Sequence, residues 1–365
     1  MGKIKERITI LTIGDRSDYD SHRKLHKEKF FIGQSGFDYI TTNYDRFLYK
    51  DLPEIKTRKV LIFLFFPFDH WNKSIENRHY KGTYGNRTFF KKFLHFWFIV
   101  EKKLKSSLRS RELFFINQPA LCALYRDKGE IARKFLRAKI PNPKQRKILQ
   151  VKHMTDLLRN GHEFFLKPRY GSMGKGITFL SWENWKTNFV FKNNKIISRR
   201  SDRGWKFRDI TGNARFLGKL LKEDILIEDA VKSVLLKDMK IDMRVYVFFN
   251  KVIYVYPRKN KKDNITTNIS QGAKGDPTVL EKIPKTLIKK IKKTAQRVSK
   301  ILGLNWVGMD IMIDQNLKDI YVIDVNVFPG FPKRRTFNMS KYMMKEIKKL
   351  TTNGRIRFDK NFKVV

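Results

Sequence analysis

Three oxygen-bearing side chains near the C-terminal end of the chain could hold a hard cation. Residues 306–330 read WVGMDIMIDQNLKDIYVIDVNVFPG. The apolar runs predict two strands, 307–313 and 320–327, joined by a polar turn at 314–318. Asp310 lies in the first strand. Asp324 and Asn326 lie in the second, two residues apart, so their side chains leave one face. Carboxylates set among apolar residues are costly unless something cationic satisfies them. Mg2+, held by a few carboxylates and by phosphate oxygens, would do so. An ion-pair network with Arg or Lys is the structural alternative.

A second stretch could handle an anion. Residues 164–177 read FFLKPRYGSMGKGI. An apolar strand at 164–166 delivers Lys167, and Pro168 stops it. Gly171, Gly174 and Gly176, with Ser172 and Lys175 between them, form a loop before a second strand at 177–180. Strand–loop–strand differs from the strand–loop–helix of the common nucleotide motifs. Glycines let backbone N–H groups turn toward an anion at close range. Lys167 and Lys175 add charge on both sides, so the spacing fits a flap closing over a triphosphate. A plain hairpin with a glycine turn is the other reading. Between the two stretches, a strand at 225–227 leads to Glu228, Asp229, Ala230 and Val231. Asp242 and Arg244 precede an apolar strand at 245–249, and a strand at 252–256 pairs back before Arg258. That acid and arginine could bind a ribose hydroxyl and a phosphate, or form a surface ion pair.

These residues need a scaffold. Runs at 7–13, 60–66 and 112–116 are short, apolar and bounded by charges, as buried parallel strands are. With a helix at 88–105 between them, they predict a small doubly wound unit. Its histidines (His22, His26, His70, His79) stand singly, which favours packing over ligation. Residues 120–138 read as one helix ending before Pro141-Asn142-Pro143, with a unit boundary near residue 118. A length of 365 residues suits two or three units. The single cysteine, Cys122, excludes an intramolecular disulfide and a cysteine-based zinc site. The longest apolar run, VLIFLFFPF, is far short of the about 20 residues of a membrane helix. The N-terminal run ITILTIG is too short for a signal peptide, so a soluble cytoplasmic protein is expected. A net charge of +44 attracts polyanions, although AT-rich coding would also enrich lysine.

Taken in order, the motifs resemble the ATP-grasp superfamily over roughly residues 112–335. They are RDKG (Lys128), LKPRYGSMGKGI (Lys167), LIEDAV (Glu228), DMR (Asp242, Arg244), YPRK (Arg258), TNISQGAKG (Asn268), GMDI (Asp310) and IDVNVFPG (Asp324, Asn326). The chain is most similar to the ribosomal-protein glutamate ligase group and the spore-coat-associated ATP-grasp proteins. DVNVFPGF also resembles the inositol polyphosphate kinase branch, which shares Asp324 where ligases usually carry Glu. The resemblance implies an α/β chain in four parts. A Rossmann-like unit (1–118) precedes a small ATP-grasp subdomain with the glycine lid (119–230). A C-terminal subdomain with the metal-binding strands (231–350) and a basic tail (351–365) follow. It implies that Lys128 and Lys167 contact phosphates and that Gly171, Ser172, Gly174, Lys175 and Gly176 form the lid. Glu228 with the backbone of Asp229, Ala230 and Val231 would hold adenine, and Asp242 a ribose hydroxyl. Arg258, Asn268, Lys175 and Arg244 would face the transferred phosphate and the acceptor. Asp310, Asp324 and Asn326 would hold one or two Mg2+ ions, with Mn2+ as a substitute.

The expected activity is ADP-forming carboxylate–amine ligation through an acyl phosphate, adding an amino acid to an acidic small molecule, peptide or protein. Phosphoryl transfer needs positioning and charge neutralisation rather than a side-chain nucleophile. The alternatives are an inositol-kinase-type transfer onto a hydroxyl and an idle ATP-binding scaffold for acidic partners. Basic segments at 199–208, 258–262 and 333–335 could collect the acceptor. No nucleic-acid module is recognisable, and oligomeric state is left open. A helix at 285–302 carries an apolar stripe, with lysines mostly off it.

Overall fold

A computed structural model describes residues 7–15, 21–76, 82–197 and 205–360. His79 and residues 199–204 of the first basic segment lie outside the described residues. Four parallel strands open the chain: β1 (Ile8–Ile13), β2 (Phe37–Thr42), β3 (Lys59–Leu64) and β4 (Glu112–Phe115), ordered β2-β1-β3-β4. β1 and β3 are the expected buried runs. β2 is an edge strand, FDYITT, whose middle is only half-buried, so it lacks a hydrophobic run that would announce it. The helix Arg87–Ser107 starts where Asn86 accepts from the Phe89 N–H, and it buries Phe89, Phe93, Phe96, Trp97, Val100 and Leu104 on one stripe.

The expected helix over 120–138 is two helices, Pro119–Leu124 and Lys128–Arg137. Asp127 breaks it: its carboxylate accepts from the Gly129 and Glu130 N–H groups and caps a new start. The break puts Lys128 at the first position of the second helix.

The second sheet holds β5 (Gln145–Arg146), β6 (Phe164–Pro168), β7 (Thr178–Ser181), β8 (Asn184–Thr187), β11 (Arg208–Asp209) and β12 (Ile225–Asp229). It is antiparallel throughout, ordered β11-β8-β7-β6-β12-β5, while β9 (Val190–Lys192) and β10 (Lys195–Ile197) form a separate hairpin. The third sheet comprises β13 (Leu235–Leu236), β14 (Met239–Phe248), β15 (Lys251–Lys261), β16 (Lys274–Gly275), β17 (Trp306–Ile313) and β18 (Ile320–Asn326). It too is antiparallel, β16-β15-β14-β17-β18, with β13 on β14. β14 and β15 run longer than their apolar stretches, so Asp242, Arg244 and Arg258 are interior to strands rather than at their ends. The helix Lys285–Leu302 matches its expected span and buries Leu287, Ile291, Ala295, Val298 and Leu302.

One hydrophobic cluster runs through all three sheets. A second joins the first sheet to the third through Ile10, Phe63, Phe248, Trp306 and the helix Met339–Thr352 with its Met343 and Ile347. Residues after that helix return to the first sheet: Ile356 is buried, and Asp359 exchanges backbone hydrogen bonds with Leu113. No helix among the described residues is long and apolar enough to cross a membrane.

His22 is buried where the parallel strands end, its Nε2 3.1 Å from Thr12 Oγ1 and 3.0 Å from Thr41 Oγ1. Burial pushes its pKa down to about 4. Unfolded histidine titrates near about 6.5. Between these values the unfolded chain binds a proton that the native chain refuses, so stability falls as pH drops through that window. The full effect is roughly 3 kcal/mol. A His22→Gln variant should therefore show a flatter loss of urea midpoint from pH 6.5 to pH 4 than the unaltered chain. An unchanged slope would place the acid sensitivity elsewhere.

Candidate active site

Strand alternation puts Asp242, Arg244 and Tyr246 of β14 on one face of the third sheet. The register carries the face across: Arg258 stands opposite Asp242, Asp310 opposite Arg244, and Asp324 opposite Asp310. Acids and arginines therefore alternate over the face. Arg258 donates from Nε to Asp242 Oδ1 at 2.7 Å and from Nη2 to the other oxygen. Arg244 donates from Nε to Asp310 Oδ1 and from Nη2 to Oδ2 at 3.0 Å. Arg258 Nη2 also lies 3.0 Å from Asp310 Oδ1. Two carboxylates and two guanidiniums thus neutralise one another in a buried cluster. Burial opposes ionisation of Asp310, but the charges of Arg244 and Arg258 prevail and hold its pKa down at about 2. Burial is the largest influence on Asp242 and pushes it up, with the Arg258 charge acting against it.

This corrects the expectation for Asp242. It lines the cleft but is in no surface ion pair, because its side chain is 1% exposed and both oxygens accept from Arg258. The adenine-edge expectation is also narrowed. The N–H groups of Asp229 and Ala230 already donate to the carbonyls of Lys144 and Glu163, and the Asp229 carboxylate is held twice by Arg146 at 2.8 Å. Val231 lines the cleft, and among the described residues its N–H has no backbone partner.

At the rim of the cluster the pairing is looser. Asp324 is paired with Lys128, both partly exposed. β18 carries a bulge just before Asp324, with Ile323 as the extra residue. The bulge keeps Asp324 facing Asp310 and frees the Ile323 carbonyl for Lys167 Nζ at 3.4 Å. Lys167 Nζ is 2.7 Å from Glu228 Oε2, close enough for an ion pair, although the oxygen receives no well-directed hydrogen bond. Burial is the largest influence on Lys167 and works against its charge, but Glu228, with Asp324 and Asp310 behind it, raises its pKa on balance. Asn326 stands opposite Gly308, and its buried Nδ2 has no partner. Asp310, Asp324 and Asn326 thus share one sheet face. Among the described residues no group of three His, Cys, Asp or Glu is placed to hold a metal. The third donor here is an amide, the Lys128 ammonium already lies on Asp324 where a cation would, and Arg244 and Arg258 hold both oxygens of Asp310, so both carboxylates sit in the ion-pair network that was the structural alternative.

The glycine loop closes over this face. Ser172 N donates to Tyr84 Oη at 3.1 Å, and Asn188 Nδ2 donates to Gly174 O at 2.7 Å. The Lys175 ammonium sits 5.1 Å from the centre of the Tyr84 ring and is almost fully buried. Gly176 has φ +73°, and a Cβ there would lie 2.6 Å from Phe189 and from Pro168. Loop and sheet face enclose a cleft of ≈ 910 Å³ lined by Lys128, Phe165, Lys167, Ser172, Lys175, Glu228, Asp242, Asn268, Asp310 and Asp324. A larger chamber of ≈ 1970 Å³ adjoins it. Lys128, Gly171, Ser172, Met173, Lys175, Asn268 and Asp324 line both, whereas Arg244, Arg258 and Asn326 face the larger one. Sequence reasoning missed the apolar walls Phe165, Ile177, Met312 and Ile323, the cleft lysine Lys240, and Tyr84. Met312 and Phe165 were recoverable, because each lies two residues from a named site residue on its strand. Tyr84 gave no signal, since only tertiary folding brings it to the loop. Of the basic segments, Arg258 and Lys333 reach the larger chamber, while Lys259 pairs with Asp276 and Lys262 with Asp238.

Two antiparallel sheets with a cleft between them, behind a parallel α/β unit, define the ATP-grasp fold. The YheC/D-like ATP-grasp family matches residues 133–352, and the chain belongs to it. A probable alpha-L-glutamate ligase of Thioalkalivibrio sulfidiphilus is 29% identical over 115 residues, 32% of this chain and 33% of that protein. An inositol-tetrakisphosphate 1-kinase 1 of Oryza sativa subsp. indica is 34% identical over 94 residues, 25% of each chain. The chain thus spans only a third or less of the length of these relatives. A RiPP-associated ATP-grasp ligase of Chryseobacterium gregarium, solved with ADP and a leader and core peptide, shares the fold. Its TM-score is 0.59 at 12% identity, covering 98% of this chain and 99% of that one.

Removing one partner from a buried ion pair leaves the other charge stranded and costs about 3–5 kcal/mol. Asp242→Ala should therefore destabilise the chain by that order in urea titrations without any nucleotide. A stability change under about 1 kcal/mol, the range of exposed pairs, would mean that Arg258 finds another partner.

Proposed function

We propose that the protein is an ATP-dependent, ADP-forming carboxylate–amine ligase acting on a peptide or other acidic acceptor. The observation that carries this reading is the pair of chambers with a common wall. Nucleotide fits the smaller one and acceptor the larger, and the groups on the wall serve the reaction between them. The relatives named glutamate ligase and RiPP-associated ligase support the same chemistry. In this scheme residues 119–230 and 231–350 grip the nucleotide, and residues 1–118 complete the acceptor chamber.

In the first step an acceptor carboxylate oxygen attacks the γ-phosphorus as the bond to the ADP oxygen breaks, giving an acyl phosphate. In the second, an amine nitrogen attacks the acyl carbon, phosphate leaves, and the nitrogen gives up a proton. Lys128 and Lys167 take the phosphates, with Lys128 leaving Asp324 to do so. Glu228 and Val231 edge the adenine. Lys175 and Asn268 meet the γ-phosphate from the lid side and Arg258 from the floor, where fixed positive groups offset charge developing on the oxygens. Arg244 holds Asp310 in place. Asp310, Asp324 and Asn326 would hold Mg2+, which supplies further neutralisation at the phosphate oxygens. The lid, drawn down onto Tyr84, keeps water from the acyl phosphate.

A kinase reading is favoured by Asp324 and by the rice kinase match. Its acceptor would be a polyphosphorylated polyol. The larger chamber weighs against that, because its walls include Phe66, Phe68, Trp71, Phe93, Phe328 and Phe331.

Incubation with ATP, Mg2+ and a panel of acidic amino acids, peptides and inositol phosphates should yield a product heavier by an amino-acid residue, read by mass spectrometry. A product heavier by one phosphate would replace the ligase with the kinase. Combined Asp324→Ala and Asn326→Ala should cut ADP release by roughly 10²-fold or more with the fold retained. Turnover near the unaltered rate would remove these residues from the metal role. With a net charge of +44, acceptor affinity should fall as salt is raised; an unchanged affinity would make the surface lysines bystanders.

A further inference from the structure

Among the described residues, Arg126 is a cation at the site with no acid partner. Its Nε donates to the Tyr170 carbonyl at 2.7 Å, and its guanidinium lies 5.5–6.0 Å from the centres of Phe66, Trp71, Phe89 and Phe93. No carboxylate pairs with it among the described residues. The neighbouring arginines differ: Arg169 holds Asp127, Arg244 holds Asp310, and Arg258 holds Asp242. Arg126 is half-buried and faces the larger chamber with Phe66, Trp71 and Phe93, none of which reaches the smaller cleft.

An arginine brought out of water beside aromatic rings gains from their electron-rich faces. Its fork of N–H groups is still served by one carbonyl only, and that fork matches a carboxylate in two parallel hydrogen bonds. From this geometry we infer that Arg126 is the receptor for a carboxylate of the acceptor that does not react. The acceptor is then an anion with an apolar or aromatic body: the body packs on Phe66, Trp71 and Phe93, and the carboxylate seats on Arg126. The site is set apart from the shared wall, where Lys128, Lys175 and Asp324 face the transferred phosphate. Arg126 acts as a positioning and selecting residue. The inference rests on the ligase reading for what becomes of the bound molecule, but carboxylate binding can be measured without turnover.

The probes are 3-phenylpropionate and its neutral isostere 3-phenylpropanamide, titrated calorimetrically into the full chain with ADP and Mg2+. Intrinsic tryptophan fluorescence, to which Trp71 contributes among six tryptophans, provides a second readout. In the unaltered chain the acid should bind at least tenfold more tightly than the amide and more tightly than acetate. Arg126→Gln should cut affinity for the acid at least tenfold and leave the amide unmoved, with Arg126→Lys recovering part of the loss. Equal binding of acid and amide overturns the inference and requires no variant to fold. So does a folded Arg126→Gln chain that binds the acid normally. Inorganic phosphate displacing the acid at lower concentration makes the site a phosphate receptor and also overturns it. ADP binding is measured in the same preparation. Its failure with acid binding intact sinks the ligase reading alone, and the reverse sinks the receptor alone.

Discussion

Everything at the site depends on the buried Asp–Arg alternation across the third sheet. Four charged groups, Asp242, Arg258, Arg244 and Asp310, stand where water scarcely reaches. Any one of them alone would carry a desolvation penalty of several kcal/mol. Together they cancel, and bidentate contacts fix their planes. The result is a floor that cannot drift. In the proposed ligase, that floor would hold Asp310 and Arg258 in place beforehand, as stabilising a transition state requires.

Against that floor, the Lys128–Asp324 pair is the exchangeable one. Its side chains are 20% and 30% exposed, whereas those of Arg258 and Asp242 are 4% and 1% exposed. Its partial exposure makes exchanging a partner cost less than it would in the buried cluster. A phosphate could draw Lys128 away while a divalent ion took its place on Asp324, with net charge at the wall little altered. The rigid cluster and the loose pair sit side by side because the bulge at Ile323 keeps Asp324 opposite Asp310.

Much of this was legible because period-2 patterning survives in the sequence. Asp324 and Asn326, two residues apart in IDVNV, announced a common face. FFLK and ITFL announced strands on either side of a glycine loop. The partners of the charges stayed hidden. That Arg258 lies opposite Asp242 follows from the register of β14 against β15, which is set by the turn at 249–250 and by a bulge beyond it. The split at Asp127 was hidden because ALYRDKGEIA keeps helical composition on both sides of the break. β2 escaped because an edge strand need not be apolar. The aromatic wall around Arg126 was not readable either, since Phe66, Trp71, Phe89 and Phe93 come from three separate segments of the first unit.

The net charge of +44 suggests a site flooded with positive potential, but the local accounting differs. Lys167 faces Glu228, Lys128 faces Asp324, and Arg244 and Arg258 face Asp310 and Asp242. The excess lies outside the cleft, as on the helix Lys285–Leu302, where Lys289, Lys292 and Lys293 are exposed and Lys290 meets Asp319. A polyanionic small molecule would need several free cations converging on it. The larger chamber sets Arg126 among rings and has Lys333 at its edge, while its Arg244 and Arg258 are already taken up by acids. Long-range charge can speed the arrival of an acidic acceptor, and selection inside the chamber falls to its apolar surface and to the Arg126 fork, which no ring can replace. That combination suits a carboxylate-bearing acceptor better than a phosphate cluster.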